Sequence, residues 1–134
     1  NNTAVGRAAL AANTTASNNT AVGRLSLTGN TTGTNNVAIG TATMEENTTG
    51  SSNTAVGRLA LQENTTASGN VAMGQEALKT NTTGSALTAI GTNAMYANTT
   101  ASNNTTVGFS PDILITGGVF VSSTGLLVTN ILFD

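Results

Sequence analysis

Apolar and polar positions along this chain recur with one fixed spacing. A large aliphatic residue or Met stands at Val5, Val22, Ile39, Val56, Met73, Ile90 and Val107. A glycine follows each of them, at Gly6, Gly23, Gly40, Gly57, Gly74, Gly91 and Gly108. A second apolar row stands at Leu10, Leu27, Met44, Leu61, Leu78 and Met95. Members of each row are 17 residues apart, without insertion. The polar positions are as regular when each unit is numbered from the residue four before its glycine. Position one is Asn2, Asn19, Asn36, Asn53, Asn70 and Asn104, with Leu87 the exception. Position three is Ala until Thr106. Positions twelve to fourteen read Asn-Thr-Thr from Asn13, Asn30, Asn47, Asn64, Asn81 and Asn98, followed by Ala or Gly and then Ser or Thr.

Seventeen residues are too few for a helix-pair repeat, which needs roughly 33 or more. They suffice for one coil of a β-solenoid. Asn-Thr-Ala-Val-Gly is β-branched and alternating, so it reads as a short strand. The glycine that ends it permits a turn at positive φ or a close backbone approach. Segments such as Arg58-Leu59-Ala60-Leu61-Gln62-Glu63 favour helix over strand, which predicts one helical turn or a broad bend. Asn-Thr-Thr-Gly-Ser predicts a turn into a second short extended segment. The expected fold is all-β, with room for short helical turns: a parallel β-solenoid of 17-residue coils over residues 1–108.

Stacking coils about 4.8 Å apart sets every residue over its counterpart. The Val/Ile/Met row at position four and the Leu/Met row at position nine become two buried ladders. The Asn row at position twelve becomes an amide ladder. Such repetition of identical residues is what a stack of self-similar units requires. Two or three aliphatic side chains per coil make a thin core, so association of several chains would help. The alanines of position three lie on the strand face opposite position four. Placed outside, they would let another chain approach closely, and the expected assembly is a homotrimer.

After Gly108 the pattern stops, and residues 109–134 form a second segment. It holds all three Phe (Phe109, Phe120 and Phe133) and the one Pro, Pro111. Residues 113–116 and 119–122 around Gly117-Gly118 predict a hairpin, and residues 126–133 a third strand. This meander is expected to cap the solenoid, clasp a trimer or dock into a larger particle. Its short strands do not meet the four full strands per chain of a trimeric autotransporter anchor. The chain opens mid-unit without a starting Met, so a processed or partial piece of something longer is expected.

Composition narrows the chemistry. The 134 residues contain neither Cys nor His, which excludes thiolate metal sites and disulfides and withdraws the commonest general base. Charged residues are 7% of the chain and net charge is −2, so no basic field exists to hold nucleic acid. No run of 18 apolar residues occurs, so no transmembrane helix is expected.

The unit Asn36-Val37-Ala38-Ile39-Gly40 resembles the core motif of the YadA-like heads of trimeric autotransporter adhesins, which are parallel β-rolls wound as trimers. The longer unit from Asn53 to Thr66 is more similar to repeats in bacteriophage tail-fibre and spike proteins. The resemblance covers residues 1–108. It implies a structural, non-enzymatic trimeric segment on a virion surface, as tail fibre, head fibre or capsid decoration. Such a segment would act as a rigid spacer or host-attachment element. Its partners would be its own copies, other virion proteins and a host cell-surface glycan or protein. The alternative it implies is the head of a bacterial adhesin at the cell surface. No cofactor, metal or catalytic residue is expected, nor insertion into a membrane.

The remaining polar residues suggest other chemistry. Glu46 and Glu63 share a column and could sit like paired carboxylates, yet nothing else of an active site accompanies them. Arg7, Arg24 and Arg58 share position six, as an anionic-ligand stripe or, more simply, a solvated edge. Asn-Thr-Thr matches the Asn-x-Thr glycosylation pattern, but the amide ladder explains it better. The Thr-x-Ser/Thr pairs at positions fourteen and sixteen resemble the double Thr rows of ice-binding solenoids, although the second row is mostly Ser.

Overall fold

The computed structural model describes residues 1–109 and 119–121. It is an all-β solenoid, and the described residues contain no helix. Eight three-residue strands form one parallel sheet in chain order. They are β1 (Thr3–Val5), β2 (Thr20–Val22), β3 (Val37–Ile39), β4 (Thr54–Val56), β5 (Val71–Met73), β6 (Thr88–Ile90), β7 (Thr105–Val107) and β8 (Val119–Val121). From β1 to β7 the register advances by the repeat length: Ala4 pairs with Ala21, Ala38 with Ala55, and Ala72 with Ala89. Position therefore matches position, as the period requires. The sheet does not end where the period does. β8 pairs with β7 in parallel, Thr105 opposite Val119 and Val107 opposite Val121. The rest of the expected meander lies outside the described residues, Phe133 included.

The two apolar rows behave differently. Position nine is a buried ladder as expected: Leu27, Met44, Leu61 and Leu78 are fully buried, and Leu10 and Met95 nearly so. Position four is not. Val5, Ile39, Met73, Ile90 and Val107 are exposed, and Val22 and Val56 are half-buried. The strand faces are reversed from the expectation. Ala21, Ala38, Ala55, Ala72 and Ala89 point inward with no exposed surface. The reason is volume. The coil is narrow, and the Leu or Met of position nine already fills most of its width. Only a methyl fits on the facing strand, so the larger aliphatic takes the outer side, since neighbours along a strand alternate.

The glycines at position five hold φ from +127° to +136°. A Cβ on Gly23 would lie 2.2 Å from the carbonyl oxygen of Gly40, and one on Gly57 would lie 2.4 Å from that of Gly74. Both expected reasons for glycine therefore apply at once. Of the helical turn or broad bend expected after it, the bend forms: residues 58–63 and their counterparts make successive turns and no helix. Positions seven and nine adopt the left-handed region in every complete coil, as at Leu59 (φ 60°) and Leu61 (φ 53°). Their N–H groups point to opposite neighbours: Leu59 donates to Thr41 at 3.0 Å and Leu61 to Ala77 at 2.9 Å. Helical backbone would close those bonds within the coil and leave the stack without them. A left-handed non-glycine residue costs about 1–2 kcal/mol. No β-branched residue occupies position seven or nine, where that cost would be greatest. Position seventeen is also left-handed and carries Asn18, Asn35 and Asn103 among others, the residue type that tolerates it best after glycine.

Candidate functional site

The most elaborate side-chain chemistry lies inside the coil. Each interior coil has an end built from positions three, eight and nine, apolar but for the buried hydroxyls of Ser26 and Thr43, and an amide end built from positions one, twelve and fifteen, where Leu87 replaces the Asn of position one in the sixth coil. At the amide end Asn36 donates through Nδ2 to the Gly50 carbonyl at 2.8 Å. Its Oδ1 accepts the backbone N–H of Asn53, one coil on, at 3.0 Å. Asn47 donates to the same Gly50 carbonyl at 3.0 Å and to Oδ1 of Asn30, one coil back, at 2.8 Å. Two buried amides thus converge on one carbonyl and stitch the coil to both neighbours. The pattern recurs at Asn53 and Asn64 around Ala67, and at Asn70 and Asn81 around Gly84. Each net bond contributes about 0.5–1.5 kcal/mol, so the amide end offsets much of what the thin apolar end lacks.

Burial also decides the glycosylation pattern. Asn30, Asn47, Asn64 and Asn81 have no exposed surface, and their Nδ2 groups are already donating. The folded coil offers no acceptor amide at these positions.

The threonines and serines beside the ladder are mostly committed. Position thirteen donates its hydroxyl to the next coil's carbonyl, as Thr31 does to Thr48 at 3.0 Å and Thr48 to Thr65 at 2.9 Å. Position sixteen accepts a backbone N–H from the preceding coil, as Ser51 does from Thr34 and Ser68 does from Ser51, both at 3.0 Å. Position fourteen is the exposed Thr row. The Thr-x-Ser/Thr pairs therefore present one exposed row rather than the flat double row of an ice-binding face.

The charged candidates stay on the surface and do not converge. Arg7, Arg24 and Arg58 are exposed, and Arg58 pairs with Glu76 at 2.9 Å. Glu45 accepts from Gln62 at 2.9 Å, while Glu46 is exposed and Glu63 half-buried. Among the described residues no group of three His, Cys, Asp or Glu could hold a metal ion, and no helix is long and apolar enough to cross a membrane. Of the residues expected to associate copies, Phe109 is 69% exposed, Phe120 falls within β8, and Phe133 lies outside the described residues.

What sequence reasoning missed is the outer face of the sheet. The strand face made by positions two and four carries Thr or Val beside Val, Ile or Met at every coil from β1 to β7. All large exposed hydrophobics among the described residues, apart from Phe109, belong to it. The signal was the row of position-four aliphatics itself, assigned to the wrong side.

No protein family, curated protein or solved structure matches this chain.

Proposed function

We propose that this chain is a structural, non-enzymatic segment of a trimeric fibre or spike on a virion, serving as a rigid spacer or host-attachment element. The observation that carries the mechanical part is the amide ladder, which ties each of the four coils between residues 19 and 86 to both neighbours through buried side chains. A stack fastened at each step resists bending and local opening. The virion part rests on the similarity of Asn53–Thr66 to phage fibre and spike repeats. Away from the outer face of the sheet, the exposed Thr row gives such a rod a polar exterior.

Antibody to the chain, imaged by electron microscopy on particles and on bacteria, tests the location. Label on virions supports the reading. Label confined to a bacterial envelope overturns it in favour of an adhesin head. Binding of the isolated protein to host cells separates the two roles. Saturable binding makes the segment an attachment element, whereas no binding together with resistance to heat and detergent makes it a spacer.

A further inference from the structure

We infer that the outer face of the parallel sheet, positions two and four of β1 to β7, is where copies of this chain meet, side by side and in parallel. The inference rests on the proposed self-association and names the surface that performs it. Val5 is 57% exposed, Met73 42%, Ile39 40%, Ile90 39% and Val107 38%. These residues form one straight row, because each strand pairs in register with the next. Val22 and Val56 continue the row half-buried, and position two beside it is Thr in five coils and Val in two, so the face is an apolar stripe edged with uncharged residues, the kind of exposed surface that often serves as an interaction site.

Three observations commit the face to another copy. The first is spacing. An occupant must present apolar groups at the strand repeat of about 4.8 Å over six steps. The same row on a second chain has that repeat and that length. The second is charge. No charged residue occurs at position two or four in any of the seven coils. The face can therefore meet itself without repulsion, whereas position six, with Arg7, Arg24 and Arg58, cannot.

The third is area. Seven strands of three residues cover about 30 Å by about 10 Å, or about 300 Å². Two such faces bury about 600 Å² in total, short of the roughly 1,200 Å² of a stable pair. Three chains around an axis parallel to the stack bury each face and both its flanks against two neighbours. A central strip bounded on one side by position six, with Arg24 and Arg58, and on the other by the exposed position seventeen, with Asn18 and Asn35, then has the layout of an interface core with a polar rim.

The chain has no cysteine, so single-cysteine variants read the geometry without background. Around an axis parallel to the stack, Ile39 of one copy faces Ile39 of the next. Mild oxidation is expected to cross-link Ile39→Cys into disulfide-linked pairs and to leave Thr32→Cys, on the exposed Thr row, as single chains. Sedimentation is expected to give a trimer for the native chain and for Thr32→Glu, and a folded monomer for Ile39→Glu/Ile90→Glu. Where the charged double variant fails to fold, the cysteine comparison decides. Equal cross-linking of the two cysteine variants overturns the face, as does a folded Ile39→Glu/Ile90→Glu variant that keeps the trimer mass. Either result leaves a native trimer intact as a separate fact. A native chain that stays monomeric overturns both the face and the trimer. A native dimer abolished by Ile39→Glu/Ile90→Glu keeps the face and overturns the threefold arrangement alone.

Discussion

Asn47 makes three side-chain bonds: it donates to Asn30 Oδ1 and to the Gly50 carbonyl, and accepts from Asn64 at 2.7 Å. Its replacement by Ala strands Asn30 Oδ1 and one hydrogen of Asn64 in a dry interior. Orphaned buried polar groups cost about 1–3 kcal/mol each, so Asn47→Ala, which leaves two, is expected to lower stability by about 2–6 kcal/mol in chemical unfolding. Asn47→Asp should cost more, because it removes both donors and buries a charge. Leu87 shows the converse. It takes an Asn position, is fully buried, and keeps its backbone N–H on Asn70 Oδ1 at 3.0 Å. Leu there keeps the bond to the preceding coil, whose acceptor is the Asn70 side chain, but offers no Oδ1 to the coil that follows. Gly57 has no such latitude, since φ is +134° and any Cβ meets the next coil's backbone. Gly57→Ala is expected to lower the unfolding midpoint more than Ala67→Gly, which removes only one buried methyl.

At the scale of the strand, inside and outside are decided by volume rather than by hydrophobicity. Leu61→Ala removes a fully buried side chain and should cost about 2–5 kcal/mol. Val56→Ala, on the outer face, should cost the isolated coil less than about 1 kcal/mol. Ala55→Leu, which forces bulk into the filled interior, should cost about 1–3 kcal/mol. Had position four been the interior, the order of Val56→Ala and Ala55→Leu would reverse. The period, the parallel pairing, the Asn ladder, the buried Leu row and the turn glycines were all legible in the sequence, because identical residues at identical spacing can only stack. The face of the strand was not. Both candidate faces are apolar, and three residues give too short an alternation to choose between Ala and Val. The left-handed positions were hidden for another reason: Leu and Ala at positions seven and nine favour helix locally, and only inter-coil bonds such as Met44 to Ala60 override that preference.

At the scale of the molecule, strand contacts among the described residues run only between sheet neighbours, so stability grows with the number of coils and is lowest at the ends of the stack. Amide hydrogen exchange should be slowest at Met44 and Leu61 and faster at Leu10, whose coil exposes β1 along its whole length. Electrostatics adds little to this total. One ion pair, Arg58–Glu76, occurs among the described residues, with Arg58 55% exposed. An exposed pair of this kind contributes about 0–1 kcal/mol and is screened by salt. Raising sodium chloride from 0.05 M to about 1 M should therefore not lower stability by more than about 1 kcal/mol in urea unfolding, given that screening removes only such surface terms.

The coil-to-coil register, Ala over Ala and glycine over glycine, has a consequence for heredity. Removing residues 53–69 joins Ser52 to Asn70 with every position still facing its counterpart. A gene whose neighbouring units resemble one another is open to unequal recombination. Here each crossover in frame and in phase would yield a shorter or longer rod that still folds. Length becomes a trait that can vary between lineages in steps of one coil, while the surface presented at each step stays the same. Repeated passage followed by sequencing should recover such variants at multiples of 17 residues and not at intermediate lengths.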